Sequence, residues 1–154
     1  MVTIHESRPP ITDADIQAVE QQLNIKFPDD YRRFLLAHNG GRPEPEIFLI
    51  PDHPIPNQSS ILNWFYSIDP SDYYYNILKM VKVFADRMPP EFIPIGCDPG
   101  GNQICLVVAG EDKGMIFFWD HEQEMDEGEP PTYDNLFFIA DSIDDLLNNR
   151  LSEG

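Results

Sequence analysis

The apolar positions between residues 12 and 41 follow a helical period in two consecutive segments. These positions are Ile16, Val19 and Leu23 in the first segment, and Tyr31, Phe34, Leu35 and His38 in the second. Thr12 followed by Asp15 has the form of a capping box, and Asn24 suits the left-handed conformation that ends a helix. Pro28 suits the start of a second helix, and the Asn-Gly-Gly run at 39–41 ends it. The pattern predicts a helical hairpin.

Beyond residue 42 the pattern changes to short apolar runs of the length that strands use. Predicted strands cover 47–50, 61–68, 92–97, 103–108, 115–120 and 136–140. A third helix is predicted over 71–84, and a final helix begins after Ser142, which can cap it. The turn-forming runs 98–102 and 110–114 have the length of hairpin connections, so the three strands that they join are predicted to form an antiparallel meander.

Helical and extended segments are segregated along the chain, which is typical of α+β proteins. We find no internal repeat and no Ser/Gly-rich linker in the 154 residues. The sequence therefore predicts one α+β domain over residues 1–154, a mostly antiparallel sheet with helices packed on one face.

Membrane insertion is not expected, because the longest purely apolar run is 104–109 and a spanning helix needs about 20 residues. The first ten residues lack the basic start and apolar stretch of a secretory signal. We therefore expect a cytoplasmic protein.

Charge is the most unusual property of the sequence. The chain has 27 Asp and Glu against 10 Lys and Arg, which gives a net charge of −17. Such a field repels nucleic acids and anionic membrane surfaces and attracts cationic molecules. The expected partner is a protein with a basic surface, with no nucleic acid and no membrane involved.

The acidic residues are densest in one segment, residues 120–134, which we call the acidic loop. It contains Asp120, Glu122, Glu124, Asp126, Glu127, Glu129 and Asp134 and has no Lys or Arg. One interpretation is a loop kept in solvent by its charge, as most charge runs are. The other is a docking surface for a cationic protein.

Cys97 and Cys105 flank the Gly-rich turn at 98–102. A hairpin symmetric about Gly101 would place them opposite each other, whereas a register shifted by one residue would place Cys97 against Ile104. The sequence leaves both registers open. In a reducing compartment we expect two free thiols, and two cysteines alone do not predict a zinc site.

Catalytic chemistry finds little support in the sequence. No Ser lies in a Gly-x-Ser-x-Gly setting, and both cysteines lie in apolar strands. His121 is flanked by Asp120 and Glu122, but neighbouring residues of a strand point to opposite faces. The alternating acids at 122–126 lack the glycine of a calcium loop, and the run 98–102 lacks the lysine of a phosphate-binding loop. We expect a protein that is not an enzyme, with no catalytic residues, metal or cofactor.

The order of several motifs resembles the SMI1/KNR4 family of the SUKH superfamily. They are Asn-Ile-Lys-Phe-Pro-Asp-Asp-Tyr at 24–31, Phe-Leu-Leu at 34–36, Asn-Gly-Gly at 39–41, Phe-Ile-Pro-Ile-Gly at 92–96, Asp-Pro-Gly-Gly-Asn at 98–102, the strand 103–108, Ile-Phe-Phe-Trp-Asp-His at 116–121, and Asp-Ser-Ile at 141–143. Their order and spacing carry the resemblance, which spans nearly the whole chain. The loops at 51–61 and after residue 120 depart most from the common pattern.

The resemblance implies a non-enzymatic binding domain, which in bacteria often serves as the immunity protein against a polymorphic or contact-dependent toxin. Because many such toxins are nucleases with a basic cleft, this role fits the negative charge. The alternative is a regulatory or scaffold domain with a cellular partner that is not a toxin. We expect exposed aromatic side chains near Trp119 to anchor the partner and the acidic loop to attract it. The predicted contact residues are Trp119, Asp120, Glu122, Glu124, Asp126, Glu127 and Glu129.

Overall fold

The computed structural model of the chain describes residues 2–153, which form four helices, nine strands and one 3-10 turn. The helices are α1 (Asp13–Leu23), α2 (Asp29–Ala37), α3 (Ile77–Phe84) and α4 (Ile143–Asp145), and a π-helical turn (Leu146–Arg150) extends the last one. The strands are β1 (Thr3–His5), β2 (Arg42–Glu44), β3 (Ile47–Leu49), β4 (Ser59–Ile61), β5 (Trp64–Phe65), β6 (Phe92–Cys97), β7 (Gln103–Val107), β8 (Ile116–Trp119) and β9 (Leu136–Ala140).

The main sheet has five antiparallel strands in the order β5-β6-β7-β8-β9, which is their order along the chain. The meander predicted for β6, β7 and β8 is therefore confirmed, and β5 and β9 extend it on either side. Two smaller antiparallel sheets pair β1 with β2 and β3 with β4. The α+β class and the mostly antiparallel sheet are confirmed.

The helix ends explain why α1 and α2 form where the sequence places them. Thr12 and Asp15 form the predicted capping box, and Asn24 adopts a φ of 55° at the other end of α1. Pro28 lies one position before the first residue of α2, where its missing N–H leaves no helical hydrogen bond unmade. Arg32 of α2 pairs with Glu20 and Asp13 of α1, which ties the two helices together.

Helix α3 begins six residues later than the sequence predicts, so the start predicted at residue 71 is wrong. Asp69 and Asp72 explain the delay, because they accept hydrogen bonds from the backbone N–H of Ser71 (3.0 Å) and of Tyr75 (3.1 Å). Such local bonds stabilise turns at the expense of helix. Asn76 then caps the helix by accepting from the N–H of Leu78 at 2.9 Å.

The predicted strand over 61–68 is wrong over most of its length, because only Ile61, Trp64 and Phe65 lie in strands, and β4 begins at Ser59 in the predicted loop. The Leu62 N–H donates to the Glu46 carbonyl beside β3, and the next N–H, of Asn63, donates to the Cys97 carbonyl in β6, both at 2.8 Å. The chain therefore changes from one sheet to another between these two residues, and β4 and β5 are separate strands.

The main sheet has an apolar cluster on each face. Helices α1, α2 and α4 pack on the first face, where Ile104, Leu106 and Phe118 are buried among them. On the second face, Phe84 of α3 and the following Met88 cover Cys105 and Trp119. Helix α3 thus reaches the face that the other helices leave open.

Both cysteines are free thiols, and the register differs from the two that the sequence left open. Cys97 pairs with Gln103 beside the turn, and an irregularity between Pro94 and Gly96 then shifts the ladder by one residue, so that Cys105 pairs with Pro94. The thiols therefore do not lie opposite each other.

Candidate functional site

The acidic loop leaves the sheet at the end of β8 and returns to it at β9. Its base is closed by Asn135, whose backbone carbonyl accepts from the Asp120 N–H and whose side-chain amide donates to the Asp120 carbonyl, both at 3.0 Å. A 3-10 turn over His121–Gln123 follows, so the loop begins as ordered structure.

The Asp120 side chain forms hydrogen bonds within the acidic loop. Its carboxylate accepts from the N–H of Glu122 at 3.0 Å and from the side-chain amide of Gln123 at 2.9 Å. These hydrogen bonds occupy both oxygens of the carboxylate. The main role of Asp120 is therefore to order the loop, and its carboxylate is not free for a partner.

Glu124 is held by an arginine from a distant part of the sequence. The Arg87 guanidinium, just after α3, donates from Nη2 and Nε to the two carboxylate oxygens of Glu124, at 2.7 and 3.0 Å. The hydrogen bond to Glu124 is the main reason that the pKa of Arg87 is raised. The guanidinium carbon also lies 4.5 Å from the ring centre of Phe84 and 5.6 Å from that of Trp119. This contact fastens the loop to the second face of the sheet.

A groove of about 690 Å³ lies between the loop and the end of α3, and we call it the acidic groove. Its charged lining is Asp86, Arg87, Glu124, Asp126, Glu127 and Glu129. With five carboxylates against one guanidinium, the groove presents a net negative charge, of which Arg87 offsets only the part at Glu124. The carboxylates of Asp126, Glu127 and Glu129 lie on exposed residues, as does that of Glu122 outside the groove. No pattern in the sequence marks Asp86 and Arg87 as part of this groove.

Trp119 does not provide the exposed anchor that the sequence predicts. Its side chain is completely buried, at 0% exposure, because β8 directs it to the second face, under Phe84 and Met88. The Phe84 and Trp119 rings meet edge to face with their centres 5.4 Å apart. Trp119, one of the predicted contact residues, therefore belongs to the core. Met125, 43% exposed, is an apolar side chain that lines the groove instead.

The turn at 98–102 is organised by an internal carboxylate. Asp98 Oδ1 accepts from the N–H groups of Gly100 and Asn102, both at 2.9 Å, and Gly101 has a φ of 90°. These N–H groups are occupied within the turn, so they do not form a phosphate cradle. Asn102 also accepts from the N–H of His121 at 3.0 Å, which joins this turn to the start of the acidic loop.

Residues 2–153 contain no group of three or more His, Cys, Asp or Glu side chains placed to hold a metal ion. Within the same range, none of the helices combines the length and apolar character that crossing a bilayer requires.

Comparison with known proteins extends over nearly the whole chain. The model of the SMI1 / KNR4 family (SUKH-1) matches residues 10–149. A protein of Bacillus subtilis (strain 168), described as SPbeta prophage-derived uncharacterized protein YokK, is 27% identical over 167 aligned positions. The alignment covers 98% of this chain and 81% of that relative.

Proposed function

Because the chain belongs to the SMI1/KNR4 family (SUKH-1), we propose that it is an immunity protein that neutralises a cognate bacterial toxin by stoichiometric binding. Family membership is consistent with this type of protein. The toxin in this proposal is a basic nuclease of a polymorphic or contact-dependent system, and the chain acts in the cytoplasm of the cell that it protects. No chemical step is required of it.

The observation that carries the proposal is the acidic groove. Glu122, Asp126, Glu127 and Glu129 are exposed around a loop that is fixed at its base by Asn135 and at its middle by Arg87. Binding to carboxylates on an ordered loop costs less conformational entropy than binding to a disordered one, because the backbone that carries them is already held in place. The groove is therefore suited to a basic surface that would otherwise bind phosphates.

The net charge of −17 supports the same partner class. Long-range attraction between oppositely charged proteins raises the association rate constant to about 10⁸ M⁻¹s⁻¹ or more at low salt. Fast capture matters for an immunity protein, because a nuclease that escapes it damages the cell.

The test is a co-expression experiment with the toxin domain encoded by the open reading frame adjacent to the gene for this chain. The chain is expected to restore growth to cells that make the toxin domain. In vitro, nuclease activity should fall linearly and reach zero at one equivalent of the chain. A pull-down of the same pair at low and high salt should show a complex that weakens as salt rises.

Two results would overturn the proposal. One is a lack of protection against the adjacent gene product, and the other is complete inactivation at far less than one equivalent, which indicates turnover. A stable complex with the adjacent product that gives no protection would favour the alternative, a regulatory or scaffold domain.

A further inference from the structure

The second face of the sheet has a pocket that α3 does not cover. It has a volume of about 260 Å³ and lies between the start of β6, the β7–β8 hairpin and the end of the acidic loop. We call it the aromatic pocket, and its principal lining residues are Glu91, Phe92, Val107, Phe117, Tyr133 and Leu136.

Aromatic rings form most of the pocket wall. Phe92 meets Phe117 edge to face at a ring-centre distance of 5.3 Å and meets Tyr133 in the same manner at 6.0 Å. Phe117 is half-buried, although its neighbours in β8 are fully packed, and Tyr133 is 57% exposed. Phe92 is only 8% exposed, so the accessible ring surface belongs chiefly to Phe117 and Tyr133. The face of an aromatic ring carries the negative side of its quadrupole, which attracts cations.

A carboxylate with an unused oxygen lies at the pocket. Glu91 Oε2 accepts a hydrogen bond from the Tyr133 hydroxyl at 2.7 Å. Glu91 Oε1 is shielded from solvent and has no hydrogen-bond partner within residues 2–153. A carboxylate oxygen that is shielded from solvent and has no donor is costly, so this one is expected to have a partner in the working complex.

We propose that the aromatic pocket receives the ammonium or guanidinium group of a Lys or Arg side chain on the partner protein, with Glu91 Oε1 as its acceptor. This inference rests on the proposed function, because it names the chemistry by which the toxin is anchored. The cationic group lies against the accessible rings of Phe117 and Tyr133. Because Oε1 is shielded from solvent in the free chain, binding requires the side chains that cover it to move aside.

Two features of the chain favour a cationic side chain in the aromatic pocket. Glu111 and Asp112, in the turn between β7 and β8, add two exposed carboxylates to the rim of the pocket. The chain already places its own cations on rings, since Lys79 Nζ lies 3.4 Å from the ring centre of Tyr73. An anionic or purely apolar side chain would leave Oε1 without a donor.

The test is an NMR titration of the full chain with the peptide acetyl-Gly-Arg-Gly-amide. Its matched control contains citrulline, which has nearly the same shape as arginine and no charge. The arginine peptide is expected to shift the backbone amides of residues 91, 92, 117 and 133. We expect the citrulline peptide to bind about tenfold more weakly, as is typical when a charge-assisted hydrogen bond is lost.

Two variants distinguish the effect of the Glu91 carboxylate from the effect of the overall negative charge. Glu91→Gln and Glu111→Gln remove the same charge, but only the first replaces a carboxylate oxygen at the pocket by an amide NH₂, which cannot accept a hydrogen bond. Glu91→Gln is expected to weaken the arginine peptide about tenfold, and Glu111→Gln by about threefold at most, because rim charges are screened. Tyr133→Phe keeps the ring and removes the hydroxyl, so it should retain binding. Thermal unfolding of each variant verifies that it is folded.

The inference is overturned if the shifts are confined to residues 124–129, or if the Glu91 and Glu111 variants bind the arginine peptide equally well. It is also overturned if citrulline binds as well as arginine. Its failure differs from that of the proposed function. Toxin protection that survives Glu91→Gln unchanged refutes this pocket alone, whereas peptide binding in the pocket without toxin protection refutes the immunity role alone.

Discussion

Arg87 and Glu124 are 37 positions apart in the sequence and form a bidentate ion pair that joins the end of α3 to the acidic loop. The same guanidinium stacks over Phe84 and Trp119, so the loop is held by a residue that also covers the apolar core of the second face.

Replacing Arg87 by Gln should loosen the acidic loop with little effect on the fold. The loop would lose its attachment at Glu124, whereas the buried contacts of Phe84 and Trp119 would remain. Amide hydrogen exchange of residues 124–129 should become faster, and the free energy of unfolding should fall by about 1 kcal/mol or less, as for partly exposed ion pairs. Arg33→Gln is the control, because Arg33 pairs with Asp144 elsewhere. Equal exchange in both variants would contradict the attachment.

Charge reversal in the acidic groove should slow association with the partner. The variant is Glu127→Lys with Glu129→Lys, which leaves the Arg87–Glu124 pair in place. Stopped-flow measurements with the toxin domain at low salt should show a rate constant about tenfold lower and a weaker dependence on salt, since both properties follow the local field.

A matched variant reverses two acids at a different groove. Glu6→Lys with Glu153→Lys changes the net charge equally, and both residues line a pocket between β1, β2 and the C-terminal segment. Its association rate should fall much less. Equal slowing in the two variants would show that the whole-molecule charge, and not the acidic groove, directs association.

Asp145 should stabilise the fold in a pH-dependent manner. Burial acts to raise its pKa, but hydrogen bonds from the Asn149 amide, the Asp141 N–H and Arg150 lower the pKa overall. A lowered pKa in the folded state means that the stabilisation is present above the unfolded pKa of about 3.9 and is lost as pH falls through the folded value.

Asp145→Asn is therefore expected to lower the free energy of unfolding by about 1–2 kcal/mol at pH 7. The difference from the native chain should shrink below about pH 4. Urea denaturation at pH 7 and at low pH measures both values. The neighbouring Asp144→Asn variant should change stability by a few tenths of a kcal/mol at most, because the Asp144–Arg33 pair is exposed. A pH-independent effect of Asp145→Asn would be inconsistent with the lowered pKa.

The thiols should react slowly while the chain is folded. Burial is the main cause that raises the pKa of Cys97 to about 11, and burial also raises the pKa of the fully buried Cys105. Because the thiolate is the reactive form, Cys97 should react with an aromatic disulfide reagent at pH 8 about a hundredfold more slowly than an unperturbed thiol. Denaturation should release two fast-reacting thiols. A fast thiol in the folded chain would contradict the raised pKa of the partly buried Cys97.

Much of the sheet was predictable because its strands are local and strongly apolar. β6 and β9 have the predicted bounds, and β7 and β8 differ by one residue at their ends. β1 and β2 were missed for two reasons. Each has only three residues, some of them polar or proline, so neither shows an alternating apolar pattern. The two strands also pair across 39 positions of sequence. The late start of α3 was missed because Asp69 and Asp72 bind backbone N–H groups that a longer helix would use. The spacing of apolar residues does not show this competition.

Only the part of the candidate site that is continuous in sequence could be predicted. The sequence indicates the acidic loop, but Arg87 and Glu91 reach it from 37 and 42 positions away, and no local pattern marks such contacts. Trp119 was misplaced for the same reason. Alternation assigns it to the face of the sheet opposite Phe118, but only the tertiary position of α3 buries that face at Phe84 and Met88.

Strand β9 lies at the margin of the main sheet and consists of Leu-Phe-Phe-Ile-Ala, with no charge of its own. An apolar edge strand of this kind is a template for pairing with a second molecule and for aggregation. Asp134 and Asp141 bound it closely, in the manner of gatekeeper residues. Carboxylates at the ends of an apolar edge strand are expected to oppose such pairing by charge repulsion, so variants that neutralise many carboxylates should be less soluble at high concentration.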